Sequence, residues 1–460
     1  MKEENLIEQK KEEKIDEIKI DDDFKDFNPN DKWKALGLFF AIGIINHLGI
    51  ILVITGARIL AKELKMDNYL TFYSFSSIIF AFITRLINSN FLLRVAYSKR
   101  VFFISIFNVV GYASMFLILL LHNTILSSYH SLCFVLSFIP CLFLGASYAF
   151  GESSMIAYLR LFPKTLLGAW SSGTGLSGII GGFLNFLSQL KGGLSLTFLY
   201  LILAPLGVLY YFLFKFTFDI LISQDKYKSR KKSNPFMELA PIEGDTEMET
   251  EESENKKVDS KDMENTNRGN KSMSIDNFMT VLHNSGEIIC NLGFIYLLQF
   301  FCVNALLVRV CDKTNIDFLP DGDEGDPHCA KKGKYEFILL FYQIGLFISK
   351  SLIKIVRRIR PVELYTIIIF IINILFIIEY YVGFLKWKNY IWISFVVGFL
   401  GGAAYAGGFY AILSSDNIEE NFKELTVNIA SIFNDLGTLA SSLLGFLGLK
   451  YWLTSADCFE

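Results

Sequence analysis

Gly145-Ala-Ser-Tyr-Ala-Phe-Gly-Glu152, followed at a short distance by Trp170-Ser-Ser-Gly-Thr-Gly-Leu-Ser-Gly-Ile-Ile-Gly-Gly182, is apolar, built on small residues and interrupted by a single carboxylate. No Lys or Arg lies within a helical turn of Glu152. A charged side chain at the centre of a membrane helix costs roughly 2.5–3.5 kcal/mol on insertion scales. A chain keeps such a group only where it is neutralised, paired or wetted. Gly178 and Gly182 have the GxxxG spacing that lets membrane helices approach closely. Ser171, Ser172 and Thr174 add hydroxyls to the same segment. The two stretches read as a tightly packed, partly polar membrane hairpin on a solute path.

The rest of the chain agrees with a membrane setting. Of 460 residues, 52% are hydrophobic and only 19% charged, too little charge for an ordinary soluble protein. A spanning helix needs about 20 apolar residues. Such runs recur along the chain, from 35–60 to 425–450, and predict an all-α polytopic protein of about 11 transmembrane helices. The charged start of the chain has no short apolar core and is not a cleaved signal. Residues 1–33 form a charged tail, 34–218 a six-helix bundle and 219–284 a polar, acidic linker of disordered composition. Residues 285–452 form a five-helix bundle, and 453–460 a short tail. Lys and Arg in the short connections set the orientation. Arg94, Lys99, Arg100, Arg160, Lys164 and the Lys350–Arg360 cluster fall on one side. That side is predicted cytosolic, with the amino end cytosolic and the carboxyl end lumenal. The sequon Asn270-Lys-Ser272 is then cytosolic and unused. Cys311 and Cys329 share a lumenal connection, where a disulfide between them is permitted.

An internal repeat sharpens the architecture. Gly145-Ala-Ser-Tyr-Ala-Phe-Gly151 in the fourth run is echoed by Gly402-Ala-Ala-Tyr-Ala-Gly-Gly408 in the tenth. In the next runs Gly178-Ile-Ile-Gly-Gly-Phe-Leu184 sets beside Ser441-Ser-Leu-Leu-Gly-Phe-Leu447, which places Ser172 opposite Asp435. An offset of six helices between like elements is what two parallel halves give, as in major-facilitator-like two-bundle transporters.

These residues also carry a family resemblance. Gly151-Glu152, then Phe162-Pro163 and Trp170-Ser-Ser-Gly-Thr-Gly175, resemble the battenin family of endolysosomal and vacuolar membrane proteins. So do Phe341-Tyr-Gln-Ile-Gly-Leu-Phe-Ile-Ser349 and Leu400-Gly-Gly-Ala-Ala-Tyr405 with Leu443-Leu-Gly445. The resemblance implies a major-facilitator-like fold in a lysosomal or vacuolar membrane. It also implies clearance of small polar solutes from the lumen, with glycerophosphodiesters leading, and basic amino-acid handling or organelle pH control as further roles. The chain departs from the family pattern at three places. Lys350 stands where Arg is common, Gln299 where an acidic residue is common, and Asn434 in an acidic slot, with Asp435 beside it.

The candidate pathway residues follow from polarity inside apolar runs. Glu152 is a proton or cation site, since a desolvated carboxylate holds a proton more readily; the alternative is a hydrogen bond to hydroxyls of the next helix. Lys350 either attracts a phosphate as a point charge or snorkels to the interface. For Arg85, near a helix end, snorkelling is expected. Asp435, inside the last apolar run, is either an ion or substrate site or a structural carboxylate. Asn46 and His47 interrupt the first run, and His47 either titrates in an acidic compartment or, as is commoner for a lone intramembrane histidine, is satisfied structurally. Gln299 and Asn304 line one cavity, and Tyr405 either lines the path or packs. No metal or cofactor site is expected: Asp321-Gly-Asp-Glu-Gly-Asp326 lacks the spacing and closing Glu of a calcium loop. No phosphate-binding loop, zinc spacing or catalytic set is found, and no basic stripe for nucleic acid. The partners expected are membrane lipids, a small polar solute and protons. Two functions compete. One is a secondary transporter. The other is a scaffold that recruits cytosolic trafficking or pH-regulating partners through the central linker.

Overall fold

In hydrocarbon every backbone polar group must be satisfied within the chain, which leaves an apolar run little choice but helix. The computed structural model describes residues 29–66, 69, 71–92, 95–189, 194–223, 273–307, 334–356, 363–415 and 417–451. The expectations for the two tails, for most of the linker with its sequon, and for Cys311, Cys329 and the acidic loop fall outside these residues.

The described residues form eleven long spans: α1 Pro29–Thr55, α2 Thr71–Asn90, α3 Tyr97–Thr124, α4 Phe138–Leu159, α5 Lys164–Gln189, α6 Pro205–Ser223, α7 Ile275–Phe301, α8 Lys334–Ser351, α9 Glu363–Val382, α10 Trp387–Ser414 and α11 Glu420–Tyr451. Short helices lead into α4 (His130–Leu136) and α6 (Leu196–Leu203), and a π-helical turn, Cys302–Leu307, continues α7. The break before α6 falls at Pro205, which has no N–H to continue the helix. Eight of the spans are long and apolar enough to cross a membrane by themselves, and the described part of α8, Phe337–Ser351, is apolar but shorter. The other two, α5 and α11, carry many of the small and polar residues of the seam described next. The protein is an all-α polytopic membrane protein.

Packing sorts the spans into two groups. In the first, α1 lies on α5, α2 and α3 lie on α4, and α6 lies on α1 and α3. In the second, α7 lies on α11 and α9, and α8 lies on α10. The groups meet where α5 crosses α8 and where α2 crosses α11. Glycine makes the closest crossings. A Cβ on Gly43 of α1 would stand 3.1 Å from the Thr174 nitrogen of α5. The GxxxG pair does not close a hairpin with α4. A Cβ on Gly178 would lie 3.3 Å from Gln343 Cβ, and one on Gly182 3.7 Å from Leu340 Cδ1, so this face meets α8 across the seam.

The repeat recurs in three dimensions. Gly145 abuts Ser77 of α2, and its counterpart Gly402 abuts Ser349 of α8. Gly151 abuts Asn46 of α1, and its counterpart Gly408 abuts Leu292 of α7. Each half thus uses the same two positions of G-A-x-Y-A-x-G to seat equivalent neighbours, a correspondence that chance similarity of glycine-rich helices does not explain.

Candidate functional site

Four charged side chains from four spans converge at the seam. Arg85 (α2) is wholly buried. Its Nε donates to Asp435 Oδ2 at 2.7 Å, and Nη2 donates to Glu152 Oε2. Nη1 donates to Ser153 Oγ at 2.9 Å and to the Ala149 carbonyl at 3.2 Å. Its Cζ lies 5.2 Å from the centre of the Tyr148 ring. The expectation that Arg85 snorkels is therefore wrong. Glu152 and Asp435 present two carboxylates from opposite groups, and a planar guanidinium can reach both while an interfacial cation could reach neither.

Glu152 (α4) is buried and heavily partnered. Beside Arg85, it accepts from the Tyr405 hydroxyl on Oε1, and His47 Nε2 lies 3.6 Å from the same oxygen. Asn46 flanks the other side of the ring: its amide nitrogen lies 3.4 Å from His47 Nδ1 and donates to the Tyr148 carbonyl at 3.3 Å. Tyr148 and Trp170 hold the imidazole edge-on, with centroids at 4.9 and 5.6 Å. The hydroxyls of the next helix do not reach Glu152. Ser172 and Thr174 both donate to carbonyls of their own helix.

Lys350 (α8) is buried rather than turned to the interface. Its Nζ donates to Thr174 Oγ1 of α5 at 3.0 Å and lies 4.2 Å from the centre of the Tyr405 ring. Among the described residues no carboxylate stands at ion-pair distance from it. A buried ammonium with only a hydroxyl and an aromatic face is under-compensated. Ser171 Oγ and Trp170 Nε1, on the helix that carries Thr174, and Asn46 Oδ1, which abuts Gly151, are buried polar atoms without a protein partner. Gln299 (α7) is buried too, its Oε1 without a partner and its amide lying over Gly401, one turn from Tyr405 on α10. The side chain of Asn304, in the π-helical turn, lies outside the described set.

The structure thus brings Asn46, His47, Glu152, Thr174, Lys350, Tyr405 and Asp435 into one contact network, with Ser171 and Gln299 at its edge. Sequence reasoning missed Arg85 as its hub and Tyr148 as a packing wall. It also missed a second buried cluster. Glu424, in the second turn of α11, accepts from Arg100 Nη1 at 2.6 Å and from the Tyr97 hydroxyl at 3.1 Å, and Arg160 Nη2 lies 3.8 Å away. Arg100 and Arg160, counted above as loop charges, are buried components of this cluster. Glu379, equally unforeseen, is a structural carboxylate. It accepts from Phe384 N at 2.8 Å, Leu385 N at 3.0 Å and the Tyr390 hydroxyl at 2.6 Å. These bonds close the α9–α10 turn, where Gly383 takes φ 69°.

Comparison with known proteins places this geometry. Residues 37–455 match the model of the CLN3 protein family. Battenin of Dictyostelium discoideum is 24% identical over 419 residues, covering 88% of this chain and 92% of its own. Protein BTN1 of Saccharomyces cerevisiae is 26% identical over 424 residues, covering 90% and 93%. Among solved structures, a bacterial homologue of the iron transporter ferroportin, in its outward-facing state, superposes with a TM-score of 0.52 at 12% identity. That superposition covers 91% of this chain and 92% of the other, and it establishes the fold alone.

Proposed function

Since the chain belongs to the CLN3 protein family, we propose that it is a battenin-like secondary transporter of a lysosomal or vacuolar membrane. It moves small polar solutes out of an acidic lumen, glycerophosphodiesters first among them, with its amino end in the cytosol and its carboxyl end in the lumen. This export supports the organelle's pH and lipid balance. One observation carries the reading: Lys350 is a buried cation at the seam between the two groups of helices, and among the described residues no carboxylate stands at ion-pair distance from it. A phosphodiester monoanion supplies the missing charge, and its hydroxyls suit the unpartnered Ser171 and Gln299. The same observation disfavours basic amino acids. Both nearby carboxylates, Glu152 and Asp435, already hold Arg85, so a cationic solute finds no vacant anion.

The test is flux in vesicles reconstituted with the full chain. Labelled glycerophosphoglycerol should cross. Lys350→Ala should reduce the flux at least tenfold, and Lys350→Arg should keep much of it. Deleting 230–270 should leave flux intact, whereas a scaffold working through that segment would lose its cellular role. Vesicles that carry labelled arginine but not the phosphodiester would overturn the substrate class; vesicles that carry neither would overturn the transporter reading.

A further inference from the structure

The repeat puts a tyrosine at the same position in each half, Tyr148 and Tyr405, and each ring takes a cation from the equivalent neighbouring span. Arg85 of α2 lies over Tyr148 and Lys350 of α8 over Tyr405. The two seats differ in what else they hold. Each nitrogen of the Arg85 guanidinium is spent on protein acceptors. Lys350 is spent on a single hydroxyl. Tyr405 also differs in its own bond: its hydroxyl leaves Lys350's group of helices and donates across the seam to Glu152.

A phenol has one hydrogen to give. While Tyr405 gives it to Glu152, an anion seated against Lys350 goes without it. When the hydroxyl turns to such an anion, Glu152 Oε1 loses a donor. We propose that Tyr405 is a positioning residue that couples anion binding at Lys350 to proton binding at Glu152, so that solute and proton are taken up together. The proposal rests on the transporter reading above and adds its coupling residue. Seven side chains face Glu152. His47 from α1, Arg85 from α2, Tyr148 from its own helix, Tyr296 from α7, Lys350 from α8, Tyr405 from α10 and Asp435 from α11 surround it. Of these, Tyr405 touches both Glu152 and Lys350 by contacts the structure defines. Arg85 has every guanidinium nitrogen engaged by protein acceptors. Tyr405 is the contact that the anion can redirect.

Linkage fixes the sign. If binding the anion favours the protonated Glu152, protonation favours binding the anion by the same factor. The affinity for glycerophosphoglycerol should therefore be higher at pH 5 than at pH 7, by about tenfold if the two are coupled within the usual range. The experiment measures that affinity in the purified full chain at both pH values, with Tyr405→Phe and Glu152→Gln beside the parent. Tyr405→Phe keeps the ring under Lys350 and removes the hydroxyl. Binding should persist within a few-fold at one pH, while the ratio between the two pH values falls to within twofold. Glu152→Gln should flatten the ratio likewise, and combining the two substitutions should add nothing. A Tyr405→Phe variant with the full parental ratio, or a parent whose affinity ignores pH, overturns the coupling while leaving transport standing. A parent that neither binds nor moves the phosphodiester overturns the substrate class on which the proposal rests. A check free of substitutions uses the parent alone in weak buffer: adding the anion should draw protons from solution, and release or no change refutes the proposal.

Discussion

At the scale of single residues, the sequence exposes that a charge is buried but not what answers it. Glu152 stands out because nothing nearby in the chain neutralises it. Its answer, Arg85, lies 67 residues away, and the second carboxylate on the same guanidinium, Asp435, lies 350 residues from Arg85. No local pattern separates an Arg that snorkels from one that turns inward, so the hub was illegible while its satellites were not. Removing one partner of a buried ion cluster strands the others, at about 3–5 kcal/mol. Arg85→Gln should therefore lower the melting point of the detergent-purified protein sharply, and Arg85→Lys should restore only part of the loss. An ammonium is a point charge and cannot serve Asp435, Glu152 and Ser153 from one plane. Glu379 makes the opposite case. Its oxygens are filled by two backbone amides and a phenol of the α9–α10 turn. Glu379→Ala should cost about 2–3 kcal/mol of stability, read in the same melting assay. The affinity of the surviving folded protein for solute should not change.

At the scale of elements, the eleven spans were legible as runs of apolar residues, and the repeated G-A-x-Y-A-x-G motif disclosed that α4 and α10 are counterparts. What the runs could not say was which helix each glycine meets. GxxxG spacing announces a close crossing without naming the partner, and the partner of Gly178 proved to be α8, from the other half. The low apolarity of α5 and α11 has the same root, since helices at the seam face protein rather than lipid. Two glycines of α1 separate close approach from mere composition. Gly37 is exposed, and a Cβ there meets nothing within 4 Å. Gly37→Ala should stabilise the protein slightly, by up to roughly 0.5–1 kcal/mol, through the better helix propensity of alanine. A Cβ on Gly43 would run into the Trp170 carbonyl of α5, and backbone cannot step aside as a side chain can. Gly43→Ala should cost about 1–3 kcal/mol. The same melting assay on both variants checks the contrast, and equal effects would mean that the α1–α5 crossing is looser than described.

At the scale of the molecule, the two groups of helices are joined unevenly along their length. At mid-depth the seam is crossed by Arg85 to Asp435, Tyr405 to Glu152 and Lys350 to Thr174. At the end where α1 begins it is crossed again by Asn88 to Asn428, at 2.7 Å, and by the Arg100–Tyr97–Glu424 cluster. Hydrophobic packing follows the same gradient. At that end one core runs through both groups and includes Phe39, Tyr158 and Trp170 with Leu292, Phe409 and Leu425. Toward the other end the packing divides into two cores, one around Leu52, Tyr112 and Tyr200, another around Ile338, Tyr342 and Phe376, which Phe186 of α5 joins across the seam. The molecule is therefore held shut at the end where α1 begins. Glu424 holds that end electrostatically, because it is the buried anion on which two arginines of the first group converge. Glu424→Gln keeps the shape of the side chain and withdraws the charge, leaving Arg100 and Arg160 to repel each other at the seam. Ile412, wholly buried in the shared core, reports on the result. In an Ile412→Cys background, a membrane-impermeant maleimide supplied from the α1 side should label that position several-fold faster once Glu424→Gln is added, as read by mass spectrometry of the labelled peptide. Equal labelling rates would mean that apolar packing alone closes this end and that the charge cluster merely fills it.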